Sequence, residues 1–559
     1  MISTDAKSSR SWHTVMPFLL LAIAGFLVYF NALHGAFIWD DEVLVKNNLA
    51  IRDWSKLPDL FTQDWGGGHS YGFYRPLTML SYAVDYASGK LDSRSYHLSN
   101  IFLHVLTSFS IYFLIHLLFK NRLLALCAGL LFVVHPIHTE AVAYISGRAD
   151  SLAALFIILS FIFYIRYLES GSKRLFWFIL IWYAFALLSK ENSLIFPVLL
   201  LLYHYAFKKS LKIKEFLPIV GLVFVYLFIR CAVLKLPVSH AYITTQWQYS
   251  LRQVPGFFAA VITYVRLLFF PVNLHMDYGD ILFRPADLRV IAGVAVFLSL
   301  LIYSFRKRNS NVLFFFSVCW FFIALLPVSS IYPVNAFYMA EHWLYLPSIG
   351  FFIIVSKGLA DLYTCKKARI FELFFAIIIV AYSCLTIMQN IYWRDPVSFY
   401  TRTLKFAPSS ARVYNNLGYV YADSGKYPEA MAMYKKAIAI NPNYADAYNN
   451  LGVACMNLNK NEEAIAAYKK AIEINPGSAN PYDNLGIVLS QSGKSAEALA
   501  SFKQAIEIDP HFGDAYFNAA LEYLFQKQYT LAIQYCDKAR VLGYQVPRRL
   551  LKILEPYRK

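Results

Sequence analysis

Cysteine is scarce in this 559-residue chain: seven residues, none in a Cys-x-x-Cys pair and several inside apolar runs. That speaks against a disulfide framework and against a structural zinc site. Acidic residues are also short, 35 against 52 Lys plus Arg, which leaves a net charge of +17. In a soluble chain such an excess would point to nucleic acid. Here much of it sits in short loops between apolar runs, as at Lys208, Lys209, Lys212 and Lys214. Topology-setting charge facing anionic lipid accounts for it, and no nucleic-acid partner is expected. A small-residue cleavage site is missing after the first apolar run, residues 15–33, although Lys7 and Arg10 precede it. That run is therefore expected to remain as a spanning helix rather than to leave as a signal peptide.

What is abundant is apolar and aromatic surface. A hydrophobic fraction of 58%, a mean hydropathy of +0.43 and 17% aromatics describe a bilayer protein with interfacial anchors. After the first run come a long, polar, aromatic-rich stretch over 34–94 and candidate spans at 98–119, 123–134, 151–167, 175–188, 194–207 and 216–233. Others follow at 257–272, 288–305, 312–326, 344–355 and 371–388. Several fall short of the ~20 residues a span needs, which predicts tilted, paired or re-entrant segments. The basic connections at 120–122, 173–174, 208–214, 306–308 and 366–369 are expected to be cytoplasmic. The acidic loop after the first run and the loops near 135–150 and 327–341 then lie outside. Alternation fails once, at 257–272, which reads as re-entrant or as a miscounted hairpin. About eleven crossings, an odd number, would put the C-terminal region outside.

From Trp393 the chemistry changes. Residues 411–444, 445–478 and 479–512 align without gaps at a period of 34. Tyr414, Leu417, Gly418, Ala430, Tyr434, Ala437 and Pro442 recur as Tyr448, Leu451, Gly452, Ala464, Tyr468, Ala471 and Pro476. The third copy gives Tyr482, Leu485, Gly486, Ala498, Phe502, Ala505 and Pro510. This is the tetratricopeptide pattern of paired helices. A degenerate fourth copy (513–546) and a half-copy or linker at 393–410 read as caps, followed by a tail at 547–559. The fold class is all-α: a polytopic transmembrane helical bundle over 1–392, with a first external loop at 34–95, followed by a tetratricopeptide α-solenoid.

Candidate chemistry clusters in the membrane region. Asp40-Asp41-Glu42 follows the first run, where an acid could serve as general base toward a hydroxyl; the plainer reading is a solvated loop start. His135, His138 and Glu140, with Asp150 close behind, form a His-x-x-His-x-Glu cluster between two spans. It suits a metal, although interfacial histidines satisfied by hydrogen bonds are the commoner outcome. Arg75, Arg148, Lys190 and Arg266 are phosphate candidates. An arginine inside an apolar run, as at Arg266, is costly and calls for a specific partner. Lys190 could equally snorkel to the interface.

The ordered series Trp39-Asp40-Asp41, Tyr74-Arg75-Pro76-Leu77, His135-Pro136-x-His138-Thr139-Glu140, Gly147-Arg148-Ala149-Asp150, Ser189-Lys190-Glu191-Asn192 and Ala340-Glu341-x-x-Leu344-Tyr345-Leu346-Pro347-Ser348, with repeats behind it, resembles one family. It is similar to the transmembrane and tetratricopeptide-repeat-containing O-mannosyltransferase-like proteins of the C-type glycosyltransferase superfamily. One departure is His342, where the family usually has Arg. The resemblance implies inverting transfer of a sugar, mannose in the best-known relatives, from a polyprenyl-phosphate-linked donor on the extracytoplasmic side. The host membrane would be a bacterial inner membrane or the endoplasmic reticulum. It implies Asp40 as base, with Asp41 as alternative or helper, and Arg75, Arg148, Lys190, Arg266, Glu341 and His342 around the donor phosphate. A divalent cation could do part of that work. Asn416, Asn450, Asn484 and Asn518 recur at the sixth position of each repeat and resemble a ladder that grips the backbone of a protein acceptor. A generic repeat consensus explains the same asparagines. A lipid or glycan acceptor and a non-enzymatic, membrane-anchored repeat scaffold remain the alternatives.

Overall fold

The computed structural model describes residues 5–62, 73–236, 247–279, 281–329, 338–364 and 368–558, so parts of the 34–95 and 327–341 loops lie outside the described residues. The chain divides into two compact units, Met1–Arg402 and Thr403–Lys559.

In the first unit the helices are α1 (Asp5–Tyr29), α2 (Leu57–Thr62), α3 (Pro76–Gly89), α4 (Ser93–Phe119), α5 (Arg122–Val134), α6 (Thr139–Val142), α7 (Arg148–Ser170) and α8 (Lys173–Ser189). They continue as α9 (Phe196–Ala206), α10 (Ile213–Phe228), α11 (Trp247–Phe269), α12 (Leu288–Lys307), α13 (Val312–Leu325), α14 (Ser348–Thr364) and α15 (Ala368–Tyr392). Polar residues set their ends. The Asp92 carboxylate accepts from Arg94 N at the start of α4, Asn121 from Leu124 N at α5, and Asn311 from Phe314 N at α13. Gly171, at φ +67°, ends α7 in the left-handed region. The first helix packs against α4, α5 and α15, and α4 also packs against α7.

Among the described residues, six helical segments are long and apolar enough to cross a membrane: 15–34, 93–119, 145–170, 213–233, 288–307 and 368–392. A seventh arises if α5 and residues 136–142, bent by 53°, count as one span. The expectation of about eleven crossings therefore does not translate into eleven full-length helices. The segments at 175–188, 194–207, 312–326 and 344–355 become shorter helices, the last one shifted to Ser348–Thr364. Residues 257–269 of the 257–272 segment are the last part of one helix, α11, which packs on α12. Helices α10, α12 and α15 keep large apolar side chains such as Phe224, Ile302 and Leu373 exposed, as lipid-facing helices do.

The residues of 135–149, expected in an external loop, are all buried. The chain turns back into the protein there, and side chains satisfy its polar groups.

The second unit stacks helix pairs: α17 (Ala411–Asp423) with α18 (Tyr427–Ile440), α19 (Ala445–Asn457) with α20 (Asn461–Ile474), α21 (Ala479–Gln491) with α22 (Ser495–Ile508), and α23 (Gly513–Phe525) with α24 (Tyr529–Val541). Helix α16 (Pro396–Phe406) precedes them, and α25 (Arg548–Leu554) follows, burying Leu550 and Leu554. Gly452 shows why the repeat needs glycine at its eighth position. A Cβ there would stand 2.5 Å from the Tyr468 ring of the paired helix.

Candidate functional site

The site is built where α1 ends. Trp39 takes φ +59°, an uncommon conformation for a bulky residue, and this turns the two acids that follow in different directions. Asp40 is exposed; Asp41 is buried at 1% exposure. The Asp41 carboxylate accepts from Ser146 N (2.8 Å), Ser146 Oγ (2.5 Å) and Ile38 N (3.1 Å). Burial pushes its carboxyl up to about 7, against the opposite pull of those hydrogen bonds. Asp40 N donates to the Tyr144 hydroxyl at 3.2 Å. Burial, with Asp40 and Asp41 nearby, holds that phenol well above its usual range. Trp39 meets Tyr400 and Phe399 with ring centroids 5.7 and 6.4 Å apart, and Trp393 meets Tyr144 at 5.4 Å. Asp40 thus emerges from an aromatic wall with its backbone tied down.

A charged network lies beside it. Tyr82 connects the two through the electrostatic reach of both Asp41 and Arg75. Arg75 Nε donates to Glu191 Oε2 at 2.9 Å, and its second bond goes to Glu191 Oε1. Burial would raise the Glu191 carboxyl, but the Arg75 charge outweighs it and holds it at about 2. Lys190 Nζ reaches both Asp150 oxygens at 2.7 Å. Arg230, buried at the end of the 213–233 span and bonded to Tyr226 Oη at 3.3 Å, is close enough to lower Glu191 further. Arg75, Lys190 and Arg230 thus gather around Glu191 and Asp150, a cluster of cationic groups of the kind that suits an anion. Arg230 went unread in the sequence. The signal was there, since a cation inside an apolar run demands a reason as much as Arg266 does.

Arg148 has another task. It is fully enclosed, donating to Asn100 Oδ1 (2.6 Å), Ser81 Oγ (3.1 Å) and Tyr96 O (2.8 Å), and pairing with Asp85 at 2.5 Å. No face of its guanidinium is left for a phosphate. Arg266 is exposed on α11 and makes no ion pair among the described residues, so the specific partner expected for it is not found. A fully solvated or lipid-edge position explains its tolerance better.

The histidine cluster forms a second group. His135 Nδ1 accepts from Ile137 N (3.1 Å) and its Nε2 meets Leu268 O (3.1 Å). His138 meets Phe132 O (2.8 Å) and Ser348 Oγ (3.0 Å). With both ring nitrogens occupied, these are satisfied core histidines. Among the described residues no group of three or more His, Cys, Asp or Glu is arranged to hold a metal ion. Glu140 accepts from the His342 ring at 2.7 Å and from His342 N at 2.9 Å. Glu341 accepts from His275 N (2.7 Å) and Tyr278 Oη (2.6 Å). Burial and the neighbouring Glu140 push the Glu341 carboxyl well above its usual range. Two buried acids offer little to a phosphate by themselves, although Arg402 lies close enough to pull the Glu341 carboxyl down.

An apolar cavity of about 470 Å³ opens nearby, walled by Leu268, Phe269, Val296, Phe314, Phe321 and Phe351. Leu268 also carries the carbonyl that holds His135.

In the repeats the asparagines bond one another. Asn450 Nδ2 donates to Asn415 Oδ1 (3.1 Å), Asn484 to Asn449 (3.0 Å) and Asn518 to the Asp483 carboxylate (3.0 and 3.1 Å). The rungs tie successive repeats together, and half of each amide's donor capacity is spent on them.

Comparison with known proteins places these features in context. The family model described as Dolichyl-phosphate-mannose-protein mannosyltransferase matches residues 87–235, and tetratricopeptide-repeat models match 418–459, 445–478 and 484–545. The chain is 27% identical over 435 residues to Protein O-mannosyl-transferase F38B6.6 of Caenorhabditis elegans, covering 74% of this chain and 61% of that one. It is 29% identical over 519 residues to Protein O-mannosyl-transferase TMTC4 of Mus musculus (77% and 68%). It is 27% identical over 510 residues to Protein O-mannosyl-transferase tmtc2 of Xenopus laevis (74% and 61%). The chain thus spans about two thirds or less of the length of these relatives.

Proposed function

We propose that this chain, a relative of the membrane-embedded, repeat-bearing protein O-mannosyl-transferases, transfers mannose from a polyprenyl-phosphate-linked donor to the hydroxyl of a Ser or Thr in a protein acceptor. The observation that carries the reading is the split acid pair: an exposed Asp40 on a buried, hydrogen-bonded Asp41, at the membrane end of the first span. A base in that position meets a lipid-borne donor and a water-borne acceptor together. Asp40 takes the hydroxyl proton as the oxygen attacks the anomeric carbon. The bond from that carbon to the phosphate oxygen breaks, and its electron pair leaves with the polyprenyl phosphate. A single displacement of this kind inverts the anomeric centre. Negative charge grows on the departing phosphate, and the cationic Arg75–Lys190–Arg230 network is suited to stabilise it. The polyprenyl chain would find apolar walls in the cavity lined by Phe269 and Phe351. The active site and repeats would face the lumen or periplasm.

The test is single-turnover transfer from a purified polyprenyl-phosphate mannose to an acceptor peptide. Asp40→Asn keeps size but removes the base, and should slow transfer by ~10²–10⁴-fold. Near-parental rates in Asp40→Asn would overturn the assignment. An inactive parent across protein, lipid and glycan acceptors would favour a repeat scaffold instead.

A further inference from the structure

The membrane face opposite the acid pair carries a second built cavity. Helix α4 starts beside Gly35, where Ser93 Oγ and His97 Nε2 meet the Gly35 carbonyl at 2.7 and 3.1 Å. Helix α7 starts two residues after Ser146, which is bonded to Asp41. At 1.5 Å per residue the two helices carry the chain about 40 and 35 Å away, across a full bilayer core. Their far ends, together with the end of α9, enclose a cavity of about 470 Å³. That is within the size range of small-molecule pockets.

The lining has two halves. Leu118, Ile165 and Phe207 form an apolar wall, and Lys120, Lys209 and Lys212 line the polar side together with the Glu169 carboxylate. Glu169 meets Lys120 at 3.7 Å in an exposed pair of the weak kind, and the half-buried Glu215 meets Lys212 at 3.3 Å. Lys209 has no acidic partner among the described residues. The turn that presents it is fixed: Lys208 sits at φ +50°, Lys209 N donates to His204 O (3.0 Å), and the Lys209 carbonyl meets His204 Nδ1 (3.1 Å). On the other side of that turn, Lys208 and Arg308 line a neighbouring cavity of about 330 Å³. Cations concentrated over an apolar slot at a bilayer face are the arrangement that takes an anionic headgroup above and an acyl chain below.

We propose that this pocket binds an anionic phospholipid of the leaflet opposite the catalytic loop, with the phosphate on Lys209 and its neighbours and an acyl chain against Leu118, Ile165 and Phe207. The proposal does not depend on the sugar-transfer reading. The test is native mass spectrometry of the full chain in neutral detergent, supplied with equal amounts of phosphatidylglycerol and phosphatidylcholine. The parent should retain phosphatidylglycerol several-fold over phosphatidylcholine. Combined Lys120→Gln, Lys209→Gln and Lys212→Gln should abolish the preference, whereas Lys173→Gln with Arg174→Gln, exposed cations at the neighbouring α7–α8 turn, should keep it. If the triple variant does not fold, Lys209→Gln should weaken the preference and Lys209→Arg should preserve it. Parity in the parent, a preference that survives the triple variant, or equal loss in the Lys173/Arg174 control would overturn the proposal. So would displacement of the lipid by excess inorganic phosphate, which would make this a free-phosphate site.

Discussion

Asp40 and Asp41 are adjacent in the chain and opposite in environment, and each predicts a different experiment. The folded-state pKa of Asp41, about 7, stands above the ordinary carboxylate value near ~3.9. The folded protein therefore holds this proton more tightly than the unfolded chain does. Its contribution to stability is greatest below about pH 4, falls as pH rises toward 7, and is flat above. Asp41→Asn should flatten the pH dependence of thermal unfolding across that window; a parallel slope in parent and variant would show that another group titrates. Tyr144→Phe removes the hydroxyl that receives Asp40 N–H while leaving the ring against Trp393. Transfer should fall by about tenfold, the size of a lost hydrogen bond to a positioned group, with the melting temperature nearly unchanged. A variant with full activity would remove Tyr144 from the positioning of the loop.

At the scale of elements, the repeats are held by side-chain rungs as well as by packing. The third rung is the odd one, with Asp483 where the first two have Asn415 and Asn449. Burial raises the Asp483 carboxyl to about 6, with Asn518 pulling the other way. A raised carboxylate pKa means that the fold loses stability as pH climbs from about 4 to 6, because ionising the buried carboxyl costs more than its bond to Asn518 returns. Asp483→Asn restores the pattern of the other rungs and should stabilise the α21–α23 contact by about 1 kcal/mol at neutral pH. Hydrogen exchange of those helices in the full chain would read it, and lower protection in the variant would contradict it. Gly452→Ala should act the other way. Its Cβ meets the buried Tyr468 ring, and such overpacking costs about 1–3 kcal/mol. Combined Asn416→Ala, Asn450→Ala and Asn484→Ala should weaken both acceptor binding and inter-repeat protection, because the Asn450 and Asn484 amides also serve the rungs.

For the whole molecule, the ends of α1 and α15 meet. Asn390 donates to Val28 O (2.9 Å) and Asn31 Oδ1 (2.8 Å), and Ala36 N to Arg394 O (3.1 Å). The chain therefore leaves its last span on the face that carries Asp40, whatever the number of crossings between. A membrane-impermeant thiol label on single cysteines should reach a site at Lys494 from outside sealed cells and miss one near Lys7; the reverse pattern would refute this placement. The sequence alone determined the all-α class, the membrane region, the repeats and the resemblance to O-mannosyl-transferases, because hydropathy runs, a 34-residue period and ordered short motifs are properties of the chain itself. The tertiary structure decided which polar residues stay available. Arg148, His135 and His138 looked like site residues in the chain, yet partners from distant helices consume their donors and acceptors. Folding brings Arg230, whose place inside an apolar run was already a signal, to Glu191. Burial and hydrogen-bond partnership are set by contacts between residues far apart in sequence, and so two neighbouring aspartates could be separated into an exposed and a buried carboxylate only by the fold.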